Sequence, residues 1–97
     1  MSITALLDLH FTPGTPEVSY QLLHDILGGT RAFPGCLGVD VLIDTTDPLH
    51  VLVVERWESM QADAAYRAWR NSADGAHNLG TVIAAAPSLI KFESSDL

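Results

Sequence analysis

The run Val51-Leu52-Val53-Val54-Glu55-Arg56-Trp57-Glu58-Ser59 changes its period part-way, and few folds accommodate that change. Through Trp57 it alternates like a strand: Val51, Val53, Glu55 and Trp57 share one face, and Leu52, Val54 and Arg56 share the other. Ser59 then offers a helix N-cap, and Met60 to Ser72 follow a helical repeat. That repeat sets Tyr66, Trp69 and Arg70 within one turn of each other. A glutamate in an apolar strand face, with bulky aromatics just downstream, is more than a packing element requires. The candidate functional region is therefore expected here.

The rest of the chain fits around this stretch. Ser2 to Phe11 predicts a first strand, with Ile3, Ala5, Leu7, Leu9 and Phe11 on one face and Thr4, Leu6, Asp8 and His10 on the other. After the Thr12-Pro13-Gly14-Thr15-Pro16 loop, a helix is expected from about residue 16 to about residue 27. Thr15 would cap it, Pro16 and Glu17 suit its first turn, and Gly28-Gly29 would end it. Val18, Leu22, Leu23, Ile26 and Leu27 form its buried stripe, while Tyr20 and His24 read as surface residues on its flank. Phe33-Pro34-Gly35 is a turn, and Leu37, Val39, Val41 and Ile43 form one face of a second strand. That strand pairs back with the central one across Asp44-Thr45-Thr46-Asp47-Pro48. A short third helix is expected from about residue 77 to about residue 86, and Leu89, Ile90, Phe92 and Glu93 belong to a last strand.

The order β-α-β-β-α-(α)-β predicts an α+β fold: a ferredoxin-like split βαβ with a four-stranded antiparallel sheet and helices on one face. The sheet's other face is then open. Leu6, Leu42, Leu52 and Val54 fall on it, so a second subunit is expected to cover it. The 97 residues make one domain, 1–97, with a small core, and association would relieve that shortage. A net charge of -7 argues against nucleic acid and anionic membrane as partners. Cys36 is alone, so neither an intrachain disulfide nor a cysteine-based metal site is expected. His10, His24, His50 and His77 show no metal-ligand spacing, although folding could bring two together. The N-terminus lacks the marks of a signal peptide and no run reaches membrane-spanning length, so a cytoplasmic location is expected.

Three segments carry a family resemblance: Phe33-Pro34-Gly35-Cys36-Leu37-Gly38, Glu55-Arg56-Trp57-Glu58-Ser59, and Ala65-Tyr66-Arg67-Ala68-Trp69-Arg70. A Pro-Gly turn before the second strand and a Glu-x-Trp at the end of the third resemble the antibiotic biosynthesis monooxygenase superfamily. The resemblance spans nearly the whole chain. It implies a dimeric α+β barrel, in which two sheets pack face to face with the helices outside. It also implies a pocket between helices and sheet and, for some members, oxidation of a quinol or anthrone by O2 without a cofactor, beside haem-degrading monooxygenases and an isomerase. The haem-degrading branch uses a first-strand asparagine, a second-helix tryptophan and a following histidine. Here Leu7 stands nearest the asparagine, Tyr66 takes the tryptophan's place, and His77 falls close to the histidine. A strand leucine cannot hydrogen-bond a bound oxygen species.

Cofactor-free oxidation of a phenol needs an apolar slot for flat rings, a group that takes the phenolic proton, and access for oxygen. Tyr66, Trp57 and Trp69 are the candidates for the slot, with Arg67 beside them. Arg70 or Arg67 would stabilise the developing phenolate and His77 would act as the base. Each has a plainer role available: Trp57 as core, Glu55 held by an arginine, Tyr66 and Trp69 covering the sheet edge, and His77 capping a helix. The expectation is thus a homodimeric, cofactor-free, metal-free monooxygenase acting on an aromatic small molecule. The alternatives are an isomerase or cyclase on the same scaffold and a non-catalytic dimer that binds haem or another small ligand.

Overall fold

The computed structural model describes residues 1–97. Ile3–His10 forms β1, Pro16–Ala32 α1, Cys36–Asp44 β2, Asp47–Trp57 β3, Met60–Arg70 α2 and Ser88–Glu93 β4. The sheet order is β2-β3-β1-β4, and every neighbouring pair is antiparallel. This is the expected ferredoxin-like α+β arrangement.

The register converts alternation into two distinct faces. Ile3 pairs with Trp57, Ala5 with Glu55, Leu7 with Val53 and Leu9 with Val51, so the odd residues of β1 share a face with the apolar set of β3. The helices cover that face. Leu9, Phe11, Val39, Val51 and Val53 pack with Leu23 and Leu27 of α1, and Ile3, Ala5 and Trp57 pack with Tyr66 of α2. The opposite face carries Leu6, Leu42, Leu52 and Val54, as the alternation predicts, and β4 adds Ile90 and Phe92. Leu42, Ile90 and Phe92 are each more than half exposed.

Local chemistry fixes the joints. Ser59 caps α2, its Oγ accepting the Ala62 N–H at 3.1 Å. At the β2–β3 turn, Asp44 Oδ1 accepts from the Thr46 N–H at 2.9 Å and from its hydroxyl at 2.8 Å. Gly35, with φ of 89°, leads into β2 and accepts the Glu58 N–H on its carbonyl at 2.9 Å. A Cβ there would lie 2.5 Å from the Ala62 Cβ, so the β2 entry and the first turn of α2 touch because residue 35 has no side chain.

Three local expectations are corrected. First, α1 runs through Gly28-Gly29 to Ala32. Glycine costs about 1 kcal/mol at each interior helix position, and tertiary contacts outweigh it here. Thr30 is fully buried, and Arg70 reaches across from α2 to the Ile26 carbonyl at 2.7 Å. Second, Thr15 sits at the N-cap of α1 without a side-chain capping bond. Third, the expected third helix is only a single 3-10 turn, Leu79–Thr81. Its remaining apolar residues extend along the end of β1 instead: Thr12 N–H donates to the Val82 carbonyl and Ala84 N–H to the His10 carbonyl. No helix is long and apolar enough to cross a membrane.

Candidate functional site

The β3–α2 unit does gather the expected residues, and it uses them mainly to fill space. Trp57 is completely buried, and its Nε1–H donates to Glu55 Oε1 at 3.1 Å. Tyr66 lies 4.7 Å from Trp57 and 5.5 Å from Phe33, centroid to centroid, and Trp69 lies 5.3 Å from Phe33. These rings occupy the volume between α2 and the sheet, and no cavity opens among them.

The polar atoms at this packed layer are also committed. Arg67 Nη2 donates to Glu55 Oε1 at 2.6 Å and to Asp63 Oδ1 at 3.1 Å, and Lys91 Nζ pairs with the other Asp63 oxygen. Arg67 Nε is buried without a partner. Arg70 Nε donates to the Tyr66 hydroxyl at 2.8 Å, and its Nη2 donates to Thr30 Oγ1 at 3.0 Å. The Tyr66 and Thr30 hydroxyls themselves lie 2.7 Å apart, so one donates to the other. Arg70 therefore bolts α2 to α1, and its guanidinium also lies 4.6 Å from the Trp69 ring. Arg56, the third arginine of the stretch, points to the other sheet face and pairs with Asp40 at 2.8 Å. The three arginines do not form one patch.

His77 lies at the outer edge of this cluster. Its Nδ1 accepts the Leu79 N–H at 3.2 Å. Partial burial, with a contribution from the Arg70 charge, lowers its pKa from the ordinary value of 6.5 and favours the neutral ring. With Nδ1 accepting from Leu79, that neutral ring carries its proton on Nε2 and offers a donor there.

The best-formed apolar hollow lies between α1 and β2. It is a groove of about 200 Å³ lined by Tyr20, Leu23, His24, Leu27, Arg31, Val41 and Ile43. Its ends are tied down: the Tyr20 hydroxyl donates to the Pro48 carbonyl, and Arg31 Nη2 donates to the Val39 carbonyl at 3.3 Å. His24 and Arg31 are seven residues apart on α1, which sets their backbones about 10 Å apart along the axis. Between them lies an apolar floor of Leu27, Val41 and Ile43. Tyr20 and His24 are thus groove residues rather than plain surface. The sequence signal was the 20, 24, 27, 31 spacing, a second helical stripe beside the core stripe. It becomes visible only once β2 is known to face α1.

The chain belongs to the antibiotic biosynthesis monooxygenase family, whose model matches residues 3–77. That match runs from the start of β1 past the end of α2. Solved structures of similar fold include SnoaB, a cofactor-independent oxygenase from Streptomyces nogalater, determined as a variant; it is 13% identical with a TM-score of 0.81, covering 99% of this chain and 95% of that one. A conserved protein of Methanosarcina mazei is 12% identical at a TM-score of 0.82, covering 98% and 94%. Rv0793 of Mycobacterium tuberculosis is 17% identical at a TM-score of 0.79, covering 100% and 98%. At these identities the likeness is one of fold. No curated protein matches the chain.

Proposed function

We propose that the protein is a cofactor-independent monooxygenase that oxidises a flat quinol- or anthrone-type compound of up to three rings with O2, and that it works as a homodimer. The observation that carries this reading is the α1–β2 groove, within a chain of the monooxygenase family. The groove offers an apolar floor with a histidine and an arginine on one helix beside it. At about 200 Å³ it is smaller than the ~300–1,000 Å³ of drug-sized sites, which favours a small flat ring system over haem.

The chemistry needs only what the groove supplies. His24 supplies the imidazole that takes the substrate's proton. Arg31 stabilises the phenolate or enolate left behind. The electron-rich anion then reduces oxygen itself. When an anthrone CH2 becomes C=O, one oxygen atom enters the product and the other leaves as water. The substrate supplies all four electrons that O2 accepts, so no flavin, metal or external reductant enters the balance. SnoaB, of similar fold, is a cofactor-independent oxygenase, which supports the same class of reaction here. Two copies packed through Leu6, Leu42, Leu52, Val54, Ile90 and Phe92 would bury the exposed apolar sheet face.

A second placement has its own support. The neutral ring favoured at His77, within reach of the Arg70 charge, offers an Nε2–H donor, and Arg70 lies over the half-buried Trp69, against which a substrate ring would stack. Trp57, Tyr66 and Arg67 would then form the packed wall behind it rather than touch the substrate.

Oxygen uptake on a panel of anthrones and naphthohydroquinones, without added flavin or metal, tests the reaction. His24→Ala and Arg31→Ala should each cut kcat/KM about 100-fold, while His77→Ala leaves most turnover. The reverse pattern moves the site to Trp69. Product formation without oxygen uptake would indicate an isomerase or cyclase. Binding without any turnover would leave a ligand-binding dimer, and a Soret band on haem titration would identify the ligand as haem. Sedimentation equilibrium checks the dimer, which Ile90→Asp should dissociate.

A further inference from the structure

We propose that Asp8, His10 and His50 form a binding site for a divalent first-row transition-metal cation of the zinc type, on the sheet face opposite the groove. The strand register builds it. His10 of β1 pairs directly with His50 of β3, and Asp8 lies two residues back on the same face of β1. Asp8 Oδ1 lies 3.2 Å from His10 Nε2 and 3.0 Å from His50 Nε2. The three donor atoms all lie within 4.8 Å of one another. Ligands bound to a tetrahedral zinc ion at ordinary Zn–N and Zn–O lengths sit about 3.3 Å apart. The carboxylate is thus already near ligand spacing from both nitrogens. Two imidazoles and one carboxylate suit zinc and its neighbours, whereas calcium and magnesium favour all-oxygen sets.

The surroundings fit the same occupant. Asp44 Oδ2 lies 2.8 Å from His50 Nδ1 and accepts a hydrogen bond from its N–H. In a metal site that bond fixes the tautomer and frees Nε2 for the ion. Two carboxylates bracket one ring, which can donate to both only when it carries two protons; the neutral imidazole has a single N–H to give. A dication can take the place of the second proton, because Asp44 keeps the N–H while Asp8 and the Nε2 lone pair both bind the ion. It also places positive charge on a chain of net charge -7. The His10 and His50 rings stack 4.4 Å apart and within 2° of parallel. Parallel rings cannot aim both lone pairs at one point, so binding turns His10 about its side-chain torsions. With its side chain 57% exposed, His10 has the room. Water completes the coordination.

The test uses the full chain after chelator treatment, with Zn(II) followed by calorimetry and Co(II) by visible absorption. The expected result is one ion per chain, with cobalt d–d bands typical of a nitrogen–oxygen site. Asp8→Asn, His10→Gln and His50→Gln should each weaken binding at least tenfold. Asp44→Asn should weaken it about 10–100-fold, as loss of an outer-shell carboxylate does. Circular dichroism confirms that each variant is folded. No saturable binding at millimolar metal overturns the proposal. So does a His10→Gln/His50→Gln double variant that binds like the parent, since the ion would then be held elsewhere.

Discussion

Arg67 of α2 reaches Glu55 of β3 across 2.6 Å, joining a side chain that is 23% exposed to one that is 1% exposed. The same Glu55 oxygen accepts from Trp57 Nε1. One buried carboxylate thus ties helix, strand and indole together, in a layer where a charge without a partner is expensive.

Arg67→Met should therefore destabilise the fold by about 3 kcal/mol, toward the low end for a broken buried pair because water reaches the guanidinium. Urea unfolding reads this as a lower midpoint at unchanged slope. Adding Glu55→Gln to that variant should restore much of the loss, because the buried charge goes with its partner. A single-variant loss below about 1 kcal/mol, the range of exposed ion pairs, would mean that water already solvates Glu55.

Tyr66→Phe keeps the ring packing and removes the hydroxyl shared by Arg70 and Thr30. The expected loss is about 1–2 kcal/mol, because Arg70 and Thr30 retain their own 3.0 Å hydrogen bond. Hydrogen exchange localises the effect: the amides of α1 around Thr30 should lose protection before those of the sheet.

Gly35→Ala combines an unfavourable positive φ with a Cβ driven into Ala62. A loss of about 2 kcal/mol or more in thermal or urea unfolding is expected. Pairing it with Ala62→Gly should recover the steric part and leave the backbone part.

His50 and Asp44 give the stability an acid-to-neutral profile. The hydrogen bond to Asp44, helped by Asp8, raises the His50 pKa above 6.5. The same bond, followed by those from Thr46, lowers Asp44 from 3.8 to about 2. A raised histidine stabilises the fold fully below 6.5, and that contribution fades as pH climbs through the raised value. A lowered aspartate stabilises above 3.8 and loses its contribution as pH falls toward about 2. The pair therefore contributes most between those limits. In chelator, the melting-temperature difference between the parent and His50→Gln should be largest near pH 5 and shrink on either side. A difference that keeps growing above pH 7 would contradict the coupling. His77 acts in the opposite sense: its pKa is lowered, so its neutral form favours the fold above 6.5 and that advantage is lost as pH falls from there through the lowered value.

The elements themselves were legible because each has a local cause. The β3 alternation, the Ser59 cap and the Phe33-Pro34-Gly35 turn all appear in the structure at the residues that announced them. The sheet's two faces followed from the period of two, including the placement of Glu55 among core residues. What failed were signals that depend on distant partners. Gly28-Gly29 reads as a helix stop, yet Arg70 and Tyr66, more than 35 positions away in sequence, hold the next turn of α1 in place. Residues 77 to 86 carry helical spacing, yet unpaired backbone groups at the end of β1 claim them first. The groove and the histidine pair were hidden for the same reason. Tyr20 and His24 acquire a role only opposite β2, and His10 and His50 meet only through the β1–β3 register.

That register has a consequence for folding fidelity. Alternate residues at the end of β1 belong to different environments: Leu9 and Phe11 lie buried under the helices, Asp8 and His10 on the opposite face. Sliding β1 by one residue would push an aspartate and a histidine under the helices and strand two large apolar groups in water. A one-residue slip is thus penalised at the Asp8–Phe11 end of the strand, where β1 acts as its own proofreader.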